Sequence, residues 1–490
     1  MGSVENRGVE ALLASLVLVF GCAVSASPAG AASPTPVVQI GPGGITVLMA
    51  DCARRSDQLE PFVVWGKPEG RAWVRNWKSP DDSFEWTVEV PEEAPYEAIV
   101  LASGAAGDEI EIVGPANRLV LKLARKGWDR LGVPGKLALP KGQSVIRVRL
   151  LRPADACLKS VELVNVAERP SIDARVKAFR ADTSWLGEAK YGVMFQWGQW
   201  GCPRHGRPKP WPKMIDDFDS EAFARMVEET GAGYVIWSVT WRTFYFPAPI
   251  KAIDAILPGR TSERDLVGDL ADALGKRGIK LTLYYHEGHP DREWWSRNWV
   301  SGDDKDKFHD NWCAIITEVG QRYKEKLAGW WFDDGMLYYP APFERLGKAA
   351  KAGHPGRFVA YNAWVLPRLT VFQEVAFGEG YRGGSADVGD DGIFTDGPQQ
   401  GLRSQGMFIV DGPDWGIYQP ETKINPPAFS AEQAVEMVRK AAAKKEALSF
   451  NLLMYEDGSV GEQSLALMKA VRKAIRGEGP AARATGRRSS

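Results

Sequence analysis

Eight short apolar runs between residues 191 and 455 end in side chains able to do chemistry. Their tips are Gln196-Trp197, Trp241-Arg242, His286-Glu287, Asp333-Asp334, Asn362, Glu374, Asp411 and Glu456-Asp457. Acids dominate, indoles stand beside them and cations are few. Such a set suits polyhydroxylated neutral ligands, whose hydroxyls bond to carboxylates while their C–H faces lie on rings. Cleaving a glycosidic bond needs two carboxyl groups flanking it, one protonated as acid and one ionised as nucleophile or base. Asp333 is the candidate nucleophile, because GWWFDDG (329–335) sets it directly after an apolar run at the tip of a strand. Asp334 faces the other way in an extended chain and is expected to bind a sugar hydroxyl or cap a helix. For the acid/base, Glu374 at the end of LTVFQE comes first and Glu379 in FGEGY second. Glu287 is a third choice, better suited to orienting the nucleophile. Gln196, Trp197, Trp241, Arg242, His286, Glu287, Trp331, Asp334, Asn362 and Asp411 are the expected sugar-binding residues. The string His286-Glu287-Gly288-His289 lacks the helical i, i+4 spacing of zinc proteases, so no metal and no cofactor are expected.

These tips need a frame that gathers them. The runs are YGVMFQW (191–197), GYVIWSVTW (233–241), KLTLYYHE (280–287), GWWFDDG (329–335), RFVAYNAW (357–364), LTVFQE (369–374), GMFIVDG (406–412) and LSFNLLMY (448–455). Amphipathic stretches such as SEAFARMVEET and SAEQAVEMVRKAAAKKEA separate many of them. Eight such units over 184–478 predict a (β/α)8 TIM barrel, whose C-terminal strand ends carry the site. A doubly wound open sheet is the alternative, disfavoured because no GxGxxG turn follows a strand. Residues 37–167 change to alternating segments such as FEWTVEV and SVIRVRLL between Gly, Pro and Asp turns, which predicts an all-β sandwich. The layout is therefore multidomain.

The 490 residues carry 61 Lys and Arg against 62 Asp and Glu. That balance removes the broad cationic field that nucleic acid or an anionic membrane would require. Residues 11–26 form an apolar run followed by small residues, read as a secretory signal over 1–31 with cleavage after Ala26 or Ala31. Val19-Phe20-Gly21-Cys22 offers a lipoprotein signal as the alternative, so a lipid anchor at Cys22 and a secreted or periplasmic location are the expectations. Residues 32–36 are a linker and 479–490 a basic tail. Cys52 and Cys157 can pair in an oxidising compartment or remain buried thiols. Trp65, Trp73, Trp77 and Trp128 of the sandwich are either sugar-stacking rings or core.

Residues 184–475 resemble the α-L-fucosidase family, glycoside hydrolase family 29. The matching pieces, in order, are KYGVMFQWGQWGCP, FDSEAFARMVEETGAGYVIWSVTW, RDLVGDLADALGKRGIKLTLYYHEG, LAGWWFDDG, DWGIY and SFNLLMYEDGSV. The resemblance implies a retaining exo-glycosidase on a (β/α)8 barrel with Asp333 as nucleophile, and adds Trp415 of DWGIY to the binding set. Three departures alter the sugar contacts. The family's His-Trp-Gly is Gln196-Trp197-Gly198, its Lys-His-His-Asp-Gly-Phe segment falls on Thr240 to Phe244, and its Trp-Glu has no Glu counterpart near Gln405 to Phe408. Arg242 in that altered segment points to a different glycone, one bearing a carboxylate or sulfate. The sandwich resembles carbohydrate-binding modules with a jelly roll. The alternative function is a non-catalytic carbohydrate-binding protein on a degenerate barrel. Carbohydrate is the expected partner, with no membrane span.

Overall fold

Alternation along eight parallel strands decides which residues fill the barrel and which meet the helices around it. The strands are β1 (Tyr191–Phe195), β2 (Tyr234–Thr240), β3 (Lys280–Tyr285), β4 (Leu327–Phe332), β5 (Phe358–Tyr361), β6 (Val375–Glu379), β7 (Arg403–Ile409) and β8 (Ala447–Asn451). In this computed structural model, which describes residues 37–41, 43–63, 71–298, 305–364, 366–412 and 414–477, they form a closed barrel, with β8 returning to pair β1 at Val193↔Phe450. Met194, Ile236, Tyr284, Trp331, Ala360, Phe377 and Met407 pack together inside it. Their neighbours Val193, Phe195, Trp237, Leu283, Tyr285, Trp330, Phe332 and Val359 join the larger outer core under the helices. A period of two with both faces apolar is what a strand covered on both sides requires.

Local signals place the helices. Asp219 accepts a hydrogen bond from Ala222 N (2.8 Å) at the start of Ser220–Thr230, and Gly231 ends that helix with φ 73°. Ser430 and Gln433 form a reciprocal capping box on Ala431–Ala443. Each such cap contributes about 1 kcal/mol.

One strand differs from the sequence reading. The sixth is Val375–Glu379 and not LTVFQE at 369–374. Residues 362–364 and 366–374 descend outside the barrel, and Leu366, Leu369 and Phe372 are buried in the outer core on the way. An apolar run of that length reads alike as strand or as buried connection, so the register was open until packing chose.

Ahead of the barrel, a sheet-rich region forms one six-stranded and one seven-stranded sheet. Their facing residues, among them Phe84, Trp86, Ile146 and Val148 from one and Val100, Leu158, Val161 and Leu163 from the other, share a core. Strand Gly142–Leu150 shows why: Ile146, Val148 and Leu150 point in, while Arg147 and Arg149 point out to Glu85 and Glu111. Strand Ala156–Asn165 is buried on both faces, because barrel residues cover its outer side. There Ser160 Oγ lies 3.0 Å from Tyr339 Oη, beside the buried Arg130–Glu162 pair (2.5 Å).

That packing corrects the sugar-stacking alternative for Trp77. Trp77 is fully buried, and Trp73 and Trp128 pack against the barrel's outer core. No disulfide joins Cys52 and Cys157, so the expected alternative of a bridge gives way to two thiols, with burial pushing the Cys157 thiol up to about 11. The leader with Cys22, the linker 32–36, Trp65 and the tail 479–490 lie outside the described residues. Among the described residues no helix is long and apolar enough to cross a membrane.

Candidate active site

β4 delivers Asp333 to the C-terminal mouth of the barrel. Trp331 faces inward and Phe332 outward, so Asp333 returns to the inner face one step above Trp331. The carboxylate is held from three sides. Asn362 Nδ2 (2.7 Å) and Asp334 N (2.9 Å) donate to Oδ1, and the Tyr284 hydroxyl donates to Oδ2. Backbone bonds pin the two strand tips together, with Asn362 N on Phe332 O (2.7 Å) and Gly335 N on Asn362 O (2.8 Å). Asp334 itself sits at φ 54°, a left-handed conformation that costs a side-chain-bearing residue and persists where the surroundings demand it.

The second carboxyl is Glu379, the last residue of β6. Asn362 Nδ2 also donates to its Oε1 at 2.7 Å. Two oxygens each 2.7 Å from one nitrogen are no more than 5.4 Å apart, a bound that admits the roughly 5 to 5.5 Å of a retaining pair. Burial first, then the Asp334 charge, raises the Asp333 carboxyl to about 6, against the pull of His286 and Tyr284. Glu379 is exposed to solvent at the end of β6. Crowding by protein, followed by the Asp333 charge, pushes it up to about 8. The two titrate as a pair, with the lower step assigned to the better-bonded Asp333.

Glu374, the first choice for the acid, is corrected. It precedes β6 and sits at the opposite end of the barrel, where Val359 N (2.8 Å) and Ala181 N (3.0 Å) donate to it and Lys351 pairs with it at 2.5 Å. The misplaced sixth strand put it at the wrong rim. Trp197 is also corrected: β1 ends at Phe195, so Gln196 takes the inward step and Trp197 the outward one, packing on Trp211, Phe218 and Trp237. Trp331 fills the barrel interior, stacked on Tyr284 at 4.7 Å, and has no face for a sugar. Asp411 is fully buried and accepts from Leu453 N (3.0 Å), tying the exits of β7 and β8 together; burial raises it to about 6.

His286 and Glu287 are buried as well and meet other side chains in place of a ligand. His286 Nε2 lies 2.7 Å from Asp334 Oδ2, and Gly288 N donates to its Nδ1 at 3.0 Å. Burial opposes a charged ring, whereas Glu287, Asp334 and Asp333 together favour one and push His286 up to about 9. The backbone N–H aimed at Nδ1 requires a lone pair there. That contact favours the neutral ring with its proton on Nε2.

Gln196, Trp241 and Trp415 remain at the mouth. The buried Gln196 Oε1 has no hydrogen-bond partner, and Trp241 and Trp415 pack over the inner barrel core. Trp241 meets Trp200 at 5.3 Å and Tyr418 at 5.4 Å, and the exposed Arg242 lies 4.0 Å over the Tyr418 ring. Sequence reasoning missed Trp200 and Tyr418, which come from loops after β1 and β7. It also missed Tyr284, although the alternation of KLTLYY is a signal that puts it on the inner face.

The alpha-L-fucosidase family model matches residues 212–341, a stretch that includes Trp241, His286, Asp333 and Asp334 and stops before Asn362 and Glu379. The tissue alpha-L-fucosidase of Homo sapiens is 25% identical over 189 residues, covering 31% of this chain and 39% of that protein. That of Macaca fascicularis is 28% identical over 151 residues, covering 24% and 30%. The chain thus spans less than half the length of the curated relatives it matches. An alpha-L-fucosidase GH29 from Bacteroides thetaiotaomicron is 16% identical with a TM-score of 0.45, over 60% of this chain and 73% of its own. Alpha-L-fucosidase isoenzyme 1 from Paenibacillus thiaminolyticus gives 16% and 0.45 over 62% and 77%. Part of the barrel, residues 212–341, is thus similar to α-L-fucosidases.

Proposed function

We propose that this protein is a retaining exo-glycosidase that removes a terminal α-L-fucosyl or related sugar from an oligo- or polysaccharide. Asp333 is the nucleophile and Glu379 the acid/base. The observation that carries the reading is the single Asn362 amide shared by the two carboxyls. Asp333 attacks the anomeric carbon while Glu379 gives its proton to the departing glycosidic oxygen. In the second step Glu379 takes a proton from water, whose oxygen displaces Asp333 from the sugar. Asn362 and Tyr284 hold the Asp333 carboxylate in place through both steps. Incubation with a 2-fluoro glycosyl fluoride should add the sugar's mass to the peptide holding Asp333. Turnover without label on that peptide excludes Asp333 as nucleophile, and sugar binding without turnover or label favours a non-catalytic carbohydrate-binding protein.

Arg242 supports a finer reading, a substrate with an anionic substituent. Its guanidinium lies exposed over Tyr418 beside the aromatic group of Trp200 and Trp241, and among the described residues it has no carboxylate ion-pair partner. The sheet-rich region is read as a jelly-roll-like sandwich that braces the barrel, since Trp73 and Trp128 are spent on that contact. The leader at 1–31 is read as an export signal; N-terminal sequencing of the mature protein after Ala26 or Ala31, or a lipid on Cys22, decides between release and anchoring.

A further inference from the structure

Behind the nucleophile lies a second cluster, built from the tips of β3 and β4. His286, Glu287, His289 and Asp334 each offer a ligand atom, and these atoms all lie within 4.8 Å of one another. His286 Nε2 is 2.7 Å and His289 Nδ1 3.3 Å from the same Asp334 Oδ2, while Glu287 Oε1 is 2.5 Å from His289 Nδ1. The geometry points to a divalent transition-metal site held by His286, Glu287, His289 and Asp334. This inference runs against the expectation drawn from the HEGH spacing, which considered only ligands on one helix. Here the fourth ligand comes from another strand.

Three observations support it. Two nitrogens and two carboxylates are the donor set that suits Zn²⁺, Co²⁺ or Fe²⁺, and two imidazoles disfavour Ca²⁺ and Mg²⁺. Ligand atoms about 2.0 to 2.2 Å from a tetrahedral ion stand about 3.3 to 3.6 Å apart, so the pairs at 2.5 and 2.7 Å must open by about 1 Å and the widest, at up to 4.8 Å, must close by about 1.2 to 1.5 Å. The Glu287 side chain is 1% exposed, yet its Oε2 has no hydrogen-bond partner and lies 3.6 Å from His286 Nδ1. Charge points the same way. Glu287, Asp333 and Asp334 crowd together, and among the described residues the ion-pair partners of Glu287 and Asp334 are the two histidines, with no Lys or Arg. Buried carboxylates in excess of cations are costly unless a cation joins them.

Loading carries one rearrangement. With Nε2 on the ion, the His286 proton moves to Nδ1 and the Gly288 N–H contact opens. Asp334, with a side chain 17% exposed, is the side from which an ion enters.

The test uses the full chain without substrate, so its outcome is independent of the hydrolase reading. Protein stripped with chelator and loaded with ZnCl₂ should retain one zinc per chain through desalting, and CoCl₂ should give the intense visible bands of four-coordinate Co²⁺. His289→Ala should weaken zinc binding by at least about a hundredfold, with unchanged circular dichroism, and should abolish the zinc-dependent rise in Tm. If that variant does not fold, Glu287→Gln takes its place. Zinc lost on desalting, a six-coordinate Co²⁺ spectrum, or equal retention by the variant overturns the proposal.

Discussion

Asp333 and Glu379, at the tips of β4 and β6, hold the same amide hydrogen-bond donor, Asn362 Nδ2, at 2.7 Å each. β5 lies between them, and its tip supplies the asparagine. The arrangement fixes the distance between the carboxyls without placing a cation between them. Both therefore feel the other's charge, and one proton is retained on the pair near neutral pH.

Activity should be bell-shaped in pH. Catalysis requires Asp333 ionised, so the rate falls as pH drops below about 6, and Glu379 protonated, so it falls as pH rises above about 8. Asn362→Ala removes a donor that favours both ionised carboxylates, so both limbs should move upward, with kcat lowered. A kcat/KM profile with no acidic limb would contradict the assignment of Asp333.

The two glutamates separate chemistry from stability. Glu379→Gln should lower kcat by about 10² to 10⁴ for substrates with poor leaving groups and far less for activated aryl glycosides. Glu374→Gln should leave that leaving-group dependence intact. It breaks the buried pair with Lys351 (2.5 Å) and should cost about 3 kcal/mol, read as a lower midpoint in urea.

Arg242→Ala should raise KM about tenfold for an aryl glycoside carrying a carboxylate or sulfate and leave its neutral counterpart unchanged, measured side by side. Equal effects on both would assign Arg242 to packing on Tyr418 alone.

A chain beginning at residue 166 should be far less stable than the whole. Deleting the sheet-rich region uncovers the barrel surface under Trp73 and Trp128 and leaves Tyr339 without Ser160 and Glu162. Each large side chain uncovered costs about 1.5 to 3 kcal/mol, a sizeable share of a typical 5 to 15 kcal/mol stability. Thermal unfolding of the two chains at equal concentration checks this; equal midpoints would show that the region folds apart from the barrel.

The sequence alone determined what is local. Alternating apolar residues predicted strands that overlap seven of the eight observed, and GWWFDDG pointed to Asp333 because parity and a short run need no distant information. Only the tertiary structure decided which glutamate faces Asp333. LTVFQE and VAFGE have equally strand-like patterns, and a shift of one segment carries an acid from one end of the barrel to the other. Pairing of Val375 with Ala360 and Arg403 settled that choice. The same holds for the indoles of Trp197 and Trp331, which a strand tip makes look accessible until the packed interior and the surrounding helices claim them. The histidine and carboxylate cluster was legible as residue types but not as a site, because Asp334 joins it from a different strand.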